Sequence, residues 1–205
     1  MIAMPLEPYF HVEDDTYCYP GSNVLRNKMG ITNSTRLATI EGTISVLKMA
    51  ELDEFPLQAT FDTHHLKEIH RHIFEDIYDW AGEFRTVEIS KGIPFCFCAN
   101  IQTQLDRLFD SLREERYLRG IDDRSLYVSR LAYYLGELNA IHPFREGNGR
   151  TQRKLLEQLV RESGHSISFE SLDSERMNRA SADSMVGDYS AMESLLSDIL
   201  VFRKQ

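Results

Sequence analysis

The strongest constraint on this chain is the polar run His142-Pro-Phe-Arg-Glu-Gly-Asn-Gly-Arg-Thr-Gln-Arg153, set between two segments of helical apolar spacing. Before it, Leu126, Leu131, Leu135 and Leu138 recur at helical intervals, and the pattern ends at Ala140. After it, residues 150–159 read as a second helix, which Gly164 stops. A polar loop held at both ends by buried helices is fixed in space, as a site requires. Its residue types suit a polyphosphate. Gly147 and Gly149 open dihedrals closed to other residues and let backbone N–H groups approach a ligand. The loop empties into a helix N-terminus, which favours anions. Arg150 and Arg153 share a helix face and can fork onto phosphate oxygens. Glu146 is a hard oxygen ligand suited to Mg²⁺ that bridges phosphates. His142 titrates near neutrality and can take a proton from a hydroxyl. Singly, each feature is commonplace, since Gly-Asn-Gly is often a turn and first-turn arginines are usually solvated. Their conjunction is not. The run lacks the Gly-Lys-Ser/Thr of a Walker A loop and the third glycine of a dinucleotide fingerprint.

His142, Phe144, Glu146, Gly147, Asn148, Gly149, Arg150 and Arg153 match, position for position, the signature of the Fic (filamentation induced by cyclic AMP) family, and the chain resembles that family. The resemblance implies a mainly α, single-domain Fic fold with a β-hairpin flap beside the active-site loop. It implies transfer of AMP from ATP, with Mg²⁺, to a hydroxyl of a target protein. His142 would be the general base and Phe144 the core anchor of the loop. Glu146 would hold Mg²⁺ with the α- and β-phosphates. Gly147, Asn148 and Gly149 would form the anion nest, and Arg150 and Arg153 would engage the β- and γ-phosphates.

Composition narrows the class. The chain has 205 residues and ordinary hydrophobic (42%) and charged (27%) content, enough for one domain with a real core. A formal net charge of −9 argues against a grip on a nucleic acid backbone. No apolar run approaches membrane-spanning length. Met1 to Phe10 carries neither a basic start nor an apolar core, so no secretory signal is expected, though export by another route would leave no such mark. Cys18, Cys96 and Cys98 read as reduced thiols in a cytoplasmic setting.

Residues 1–16 read as a loosely held arm, and residues 17–205 as the single domain. Tyr17-Cys-Tyr-Pro-Gly21 is turn chemistry, followed by an expected short helix over Val24–Lys28. This opening resembles the short, stand-alone bacterial Fic proteins. Ser34 is an expected N-cap for a helix to about Leu52, with Leu37, Ile40, Ile44 and Leu47 as its buried stripe. Fic proteins are commonly inhibited by a helix bearing Ser/Thr-x-x-x-Glu-Gly/Asn, whose glutamate pairs with the second motif arginine. Here Glu41-Gly42 is present, but Leu37 stands where Ser or Thr is required. An ordinary amphipathic helix is the favoured reading, with the inhibitory glutamate supplied by a separate small partner. Glu41 is retained as a candidate inhibitor in cis.

Thr63 is an expected cap for the next helix, with Leu66, Ile69, Ile73 and Ile77 buried. His64, Glu68 and His72 have a spacing open to a divalent metal but read as its wet face, and His70 reads as a core histidine. Trp80 to Arg85 resembles the family segment leading into the flap. Residues 86–98 form the convincing β stretch. Val87, Glu88 and Ile89 alternate, Lys91-Gly92 can turn, and Ile93 to Phe97 returns with Pro94 on an edge. In the family this flap registers the target by β-augmentation, which assigns docking to Val87, Glu88, Ile89, Ile93 and Phe95. Further helices are expected over Ile101–Leu112, Ser174–Ala182 and Tyr189–Phe202, and 181–188 is expected near an adenine or ribose by family analogy.

The resemblance to the short Fic proteins implies a toxin that modifies a type II DNA topoisomerase subunit, gyrase or topoisomerase IV, and is silenced by a small antitoxin. Rival readings are transfer of another nucleotide or a phosphoryl group, removal of AMP, and a nucleotide-sensing module inhibited in cis by Glu41.

Overall fold

A computed structural model describes residues 14–169 and 172–203. The helices are α1 (Ser34–Glu54), α2 (Thr63–Phe74), α3 (Ile101–Glu114), α4 (Arg124–Ile141), α5 (Asn148–Glu162), α6 (Ser174–Ser184) and α7 (Ser190–Ile199). Side-chain oxygens start several of them. Asn33, Asp62, Asp123 and Asp173 accept from the amides of Arg36, His65, Leu126 and Glu175. In the first two cases the residue before the expected cap does the capping, because its extended backbone aims the side chain at the first turn.

α4 is the axis of the molecule. It buries Tyr127, Val128, Leu131, Tyr134, Leu135, Leu138 and Ile141, residues spread round most of its circumference. α5 packs on it through Leu155, Leu156 and Leu159, α3 through Leu105, Leu108 and Leu112, and α7 through Met192, Leu195 and Leu196. α2 adds Leu66, Ile69 and Ile73 against α5. Each such side chain stabilises the fold by roughly 1.5–3 kcal/mol through removal from water. Residues 142–147 span the gap between α4 and α5, so the two best-buried helices clamp the loop.

The β-hairpin consists of β1 (Ser90–Lys91) and β2 (Ile93–Pro94), antiparallel with Ser90 opposite Pro94 and Lys91 opposite Ile93. Gly92 turns it at φ 76°. A second pair, β3 (Ser166–Ile167) with β4 (Leu200–Val201), lies beyond α5. The last helix therefore stops at Ile199 rather than reaching Phe202, because the chain is drawn into this pairing.

Two further expectations are corrected. Val24–Lys28 is not helical: Cys18 and Leu25 form an antiparallel bridge around the Tyr19–Ser22 turn. In α1, Leu37, Ile40 and Ile44 of the expected stripe pack on the core, but Leu47 is 62% exposed, and Glu41, Ser45, Lys48 and Leu52 complete the inward face. The helix is rotated toward its polar side because Glu41 and Ser45 find buried partners. Of the expected N-terminal arm, residues 1–13 lie outside the described residues. Asp14 is held by Arg145 at 2.7 Å, with both side chains 12% exposed. No described helix is long and apolar enough to cross a membrane.

Candidate active site

His142 is the left-handed C-cap of α4 (φ 46°, ψ 61°), its amide bonded to the Leu138 carbonyl at 3.0 Å. Nδ1 lies 3.2 Å from the Asn139 carbonyl. A carbonyl only accepts, so Nδ1 carries the hydrogen and Nε2 keeps its lone pair. The ring stacks on Phe95, centroids 3.9 Å apart. Burial holds the His142 pKa down to about 3; the Asn139 bond opposes this, and the Arg85 and Lys91 charges add to it. The imidazole is thus neutral at physiological pH, with one nitrogen ready to accept.

Phe144 is 1% exposed and stacks on His70 at 3.8 Å. The Asn148 side chain staples the loop: Oδ1 accepts from the Phe144 amide at 2.9 Å and Nδ2 donates to its carbonyl at 2.7 Å. The Asn148 side chain is therefore spent on holding the loop's shape, which leaves only its backbone amide for any anion at the start of α5. Gly147 caps α5 at φ 82°, and a Cβ there would meet the Phe74 ring at 2.3 Å. Gly149 lies inside the helix with ordinary φ, contrary to the expectation that both glycines serve unusual dihedrals. A Cβ there would meet only Arg153 Nη1, at 3.1 Å. The helix begins at Asn148, and its first-turn amides at Asn148, Gly149 and Arg150 have no intrahelical partner.

The two arginines differ. Arg150 Nη2 donates to Glu41 Oε1 at 2.5 Å, Nη1 to Ser45 Oγ at 3.0 Å, and the guanidinium lies over the Phe74 ring at 4.7 Å. Tyr78 donates its hydroxyl to the other Glu41 oxygen. Glu41 thus meets the first motif arginine, not the second. Arg153 is folded back over Gly149 into the cavity, half-buried, and burial lowers its pKa with the Arg150 charge adding. Glu146 Oε1 accepts from the Gly147 amide at 2.9 Å and lies 3.4 Å from Arg150, while Oε2 has no partner among the described residues. A half-exposed carboxylate with one free oxygen suits Mg²⁺ held jointly with phosphates.

His142, Glu146, Asn148, Gly149 and Arg153 share one cavity of about 240 Å³, closed on one side by Lys91 and Phe95 of the hairpin and on the other by Met177, Asn178 and Ser181 of α6. Lys91 Nζ donates to Asn178 Oδ1 at 3.2 Å across the rim. Of the stretch 181–188, only Ser181 and Ala182 border this cavity. A larger opening of about 340 Å³ between α3 and α4 contains none of the motif residues. Among the flap residues, Ile89 and Phe95 turn inward (8% and 6% exposed), whereas Ile93 is 42% exposed. Of the other two expected docking residues, Val87 is half-buried and the Glu88 side chain is 56% exposed, so the inward side chains are Ile89 and Phe95 alone. His64 is on the solvent side near Glu68, whereas His72 is half-buried against α1 with Nε2 3.2 Å from Glu51, and no metal-competent group of His, Cys, Asp or Glu occurs among the described residues.

Two supports escaped sequence reasoning. His70 is fully buried, accepts from the Gly82 amide at 2.8 Å through Nδ1, and donates through Nε2 to the Glu146 carbonyl at 3.0 Å. Its place on an apolar stripe marked it as core, but nothing local tied it to residue 146. Arg85 is likewise buried, and its run of charged and aromatic neighbours gave no sign of it.

A family model described as Fic/DOC family matches residues 60–160. Over 184 residues the chain is 38% identical to "Protein adenylyltransferase VbhT" of Bartonella schoenbuchensis, covering 89% of this chain and 38% of that longer protein. Over 187 residues it is 36% identical to "Probable protein adenylyltransferase Fic" of Escherichia coli, covering 91% and 92%. The solved structure of BepC, a VirB-translocated effector of Bartonella tribocorum with bound AMPPNP, matches with a TM-score of 0.86 at 28% identity, covering 95% of this chain and 100% of that one. A relative matched over nearly its whole length, a family model over the helical core and a shared fold agree: the chain belongs to the Fic/DOC family.

Proposed function

We propose that this chain is a protein adenylyltransferase, moving AMP from ATP to the hydroxyl of a tyrosine, serine or threonine in another protein. The observation that carries this reading is the neutral His142 ring, with Nε2 free in the cavity that holds Glu146 and the start of α5. The acceptor oxygen bonds to the α-phosphorus, the bond from that phosphorus to the bridging oxygen breaks, pyrophosphate leaves, and Nε2 takes the hydroxyl proton. The free amides of the first turn and Arg153 meet charge on the β- and γ-phosphates. Glu146 would hold Mg²⁺, which when bound neutralises phosphate charge. The hairpin edge at Ser90–Ile93 aligns the acceptor chain by adding a strand to it.

The target is a type II topoisomerase subunit, and the chain acts as a toxin silenced by a small antitoxin. The Tyr17–Gly21 opening and Leu37 in place of Ser or Thr support this. Val46 and Leu47, 61% and 62% exposed on α1, offer apolar surface to a partner helix. A second reading is favoured by the Glu41–Arg150 pair: the chain restrains itself, because phosphates reach Arg150 only when Glu41 releases it.

The test is labelling with ATP marked on the α-phosphate, using wild type, His142→Ala and Glu41→Gly in lysate and with isolated gyrase and topoisomerase IV. Label on a topoisomerase subunit that disappears in His142→Ala supports the reading. Label from the γ-phosphate alone sinks AMP transfer in favour of phosphoryl transfer. A rise in labelling with Glu41→Gly supports restraint in cis; an unchanged rate removes it and leaves the separate partner.

A further inference from the structure

Arg85 is buried, its side chain 0% exposed, yet it has one carboxylate near it, Glu88 at 3.3 Å, and that side chain is 56% exposed. Its guanidinium is instead solvated by backbone. Nε donates to the His142 carbonyl at 2.9 Å, and Nη2 to the carbonyls of Cys96 and, at 3.4 Å, Ile141. Nη1 donates to the Val87 carbonyl at 3.0 Å and lies 3.0 Å from Cys98 Sγ. The Arg85 amide donates to the Pro143 carbonyl at 2.9 Å. One side chain therefore grips both arms of the hairpin, before the turn at Val87 and after it at Cys96, together with the carbonyls at the end of α4. Those carbonyls are the orphaned negative end of the helix, where a cation is favoured. The fork is specific to arginine: five N–H groups in a fixed plane reach acceptors on two sides, while an ammonium has three donors at one point.

We propose that Arg85 is a positioning residue that couples the hairpin to His142, setting the distance between the edge that receives the acceptor chain and the imidazole that takes its proton. The hairpin's part in this rests on the AMP-transfer reading; the mechanical coupling does not. Arg85 makes none of its hydrogen bonds to residues 146–153, so nucleotide binding and coupling separate. The Cys96 amide, bonded to the Ala140 carbonyl at 3.0 Å, and the Cys98 amide, bonded to Glu88, report on the hairpin, and the His142 amide reports on the loop.

The experiment is residue-resolved amide exchange on the full chain as wild type, Arg85→Gln and Arg85→Lys, with calorimetric titration of ATP and Mg²⁺ and the labelling assay on the same samples. Exchange at Cys96, Cys98 and His142 should rise together by tenfold or more in both variants, on the order of one lost hydrogen bond. Leu155 and Leu156 in α5 should stay unchanged. The Kd for ATP should stay within about twofold, while transfer to the target falls at least about thirtyfold in kcat, for want of alignment. Should Arg85→Gln fail to fold, Arg85→Lys, which retains the buried charge, decides. Lysine restoring wild-type exchange and kcat would mean that charge alone matters and would overturn the proposal. Exchange rising in the hairpin but not at His142 would overturn it equally. A wild type that transfers no AMP would sink the AMP-transfer reading and leave the exchange result to stand for itself.

Discussion

Gly147 and Gly149 flank the same asparagine, but alanine at each should fail in different ways. At Gly147 the backbone is left-handed, φ 82°, and a Cβ would sit 2.3 Å from two carbons of the Phe74 ring. The dihedral alone costs an L-residue about 1–2 kcal/mol. Phe74 is fully buried and cannot swing away, so overpacking adds about 1–3 kcal/mol. Gly147→Ala should thus lose about 2–5 kcal/mol, a large part of the roughly 5–15 kcal/mol that holds a domain together. At Gly149 the φ is ordinary, and the nearest atom is the end of the flexible Arg153 side chain at 3.1 Å. Alanine in a helix gains about 0.5–1 kcal/mol over glycine, so Gly149→Ala should stay within about 1 kcal/mol of wild type. It should nevertheless weaken ATP binding, because the methyl group stands between the first-turn amides and pushes Arg153 from its place. Urea unfolding followed by circular dichroism, then ATP titration on both variants, reads the two effects. Equal stabilities would refute the account, as would Gly149→Ala binding ATP like wild type.

His142 is held neutral, with a pKa about 3, and the base works deprotonated, so the rate should hold as pH falls from 8 to 5. A decline centred near the ordinary histidine value in a kcat/KM profile would contradict it. His70→Leu keeps bulk but strands the Gly82 amide and the Glu146 carbonyl, and should cost about 2–5 kcal/mol in urea unfolding. Leu37→Ala should cost about 2–5 kcal/mol and Leu47→Ser less than about 0.5 kcal/mol, where a stripe buried at both positions requires both to be costly, again by urea unfolding.

The helical order of the fold was readable because its long elements carry regular apolar spacing: Leu131, Leu135 and Leu138 in α4 and Ile69 and Ile73 in α2 are all buried, although Leu126 at the start of the α4 pattern is 51% exposed. α1 misled for a physical reason. Its apolar residues do recur at helical spacing, but the ion pair of Glu41 with Arg150 and the hydroxyl of Tyr78 turn the polar side inward. Those partners are far away in sequence, where periodicity carries no information. The motif itself was readable because glycine, carboxylate, arginine and imidazole in a fixed order leave few chemistries open. What the order conceals is the division between binding and bracing. Asn148 uses its amide on Phe144, and Arg150 uses its fork on α1, so Arg153 and the amides are left to face a ligand. Ser166 to Phe169 does read as a short extended stretch, but its partner at Leu200–Val201 escaped because a two-residue strand carries no alternation to detect.

The left-handed turn at His142 is where these constraints meet. A helix commonly ends on such a residue, but glycine is the usual occupant, and a histidine there costs about 1–2 kcal/mol. The surroundings hold it in that strained state. Its amide bonds to Leu138, its carbonyl receives Arg85, its Nδ1 donates to Asn139, and its ring face lies on Phe95. Every polar atom of the residue is engaged except Nε2, which has no partner among the described residues. The strain therefore has a directional result. Glycine would relax the turn and remove the base, and a helical φ would carry the ring away from the cavity into the continuing helix. Only a side chain forced past the end of α4, with its other hydrogen-bonding groups satisfied by backbone, presents a single neutral nitrogen to an incoming hydroxyl. Phe95 and Arg85 tie that nitrogen to the hairpin, so on the proposed AMP transfer the proton acceptor and the edge that would deliver the hydroxyl are fixed by the same contacts.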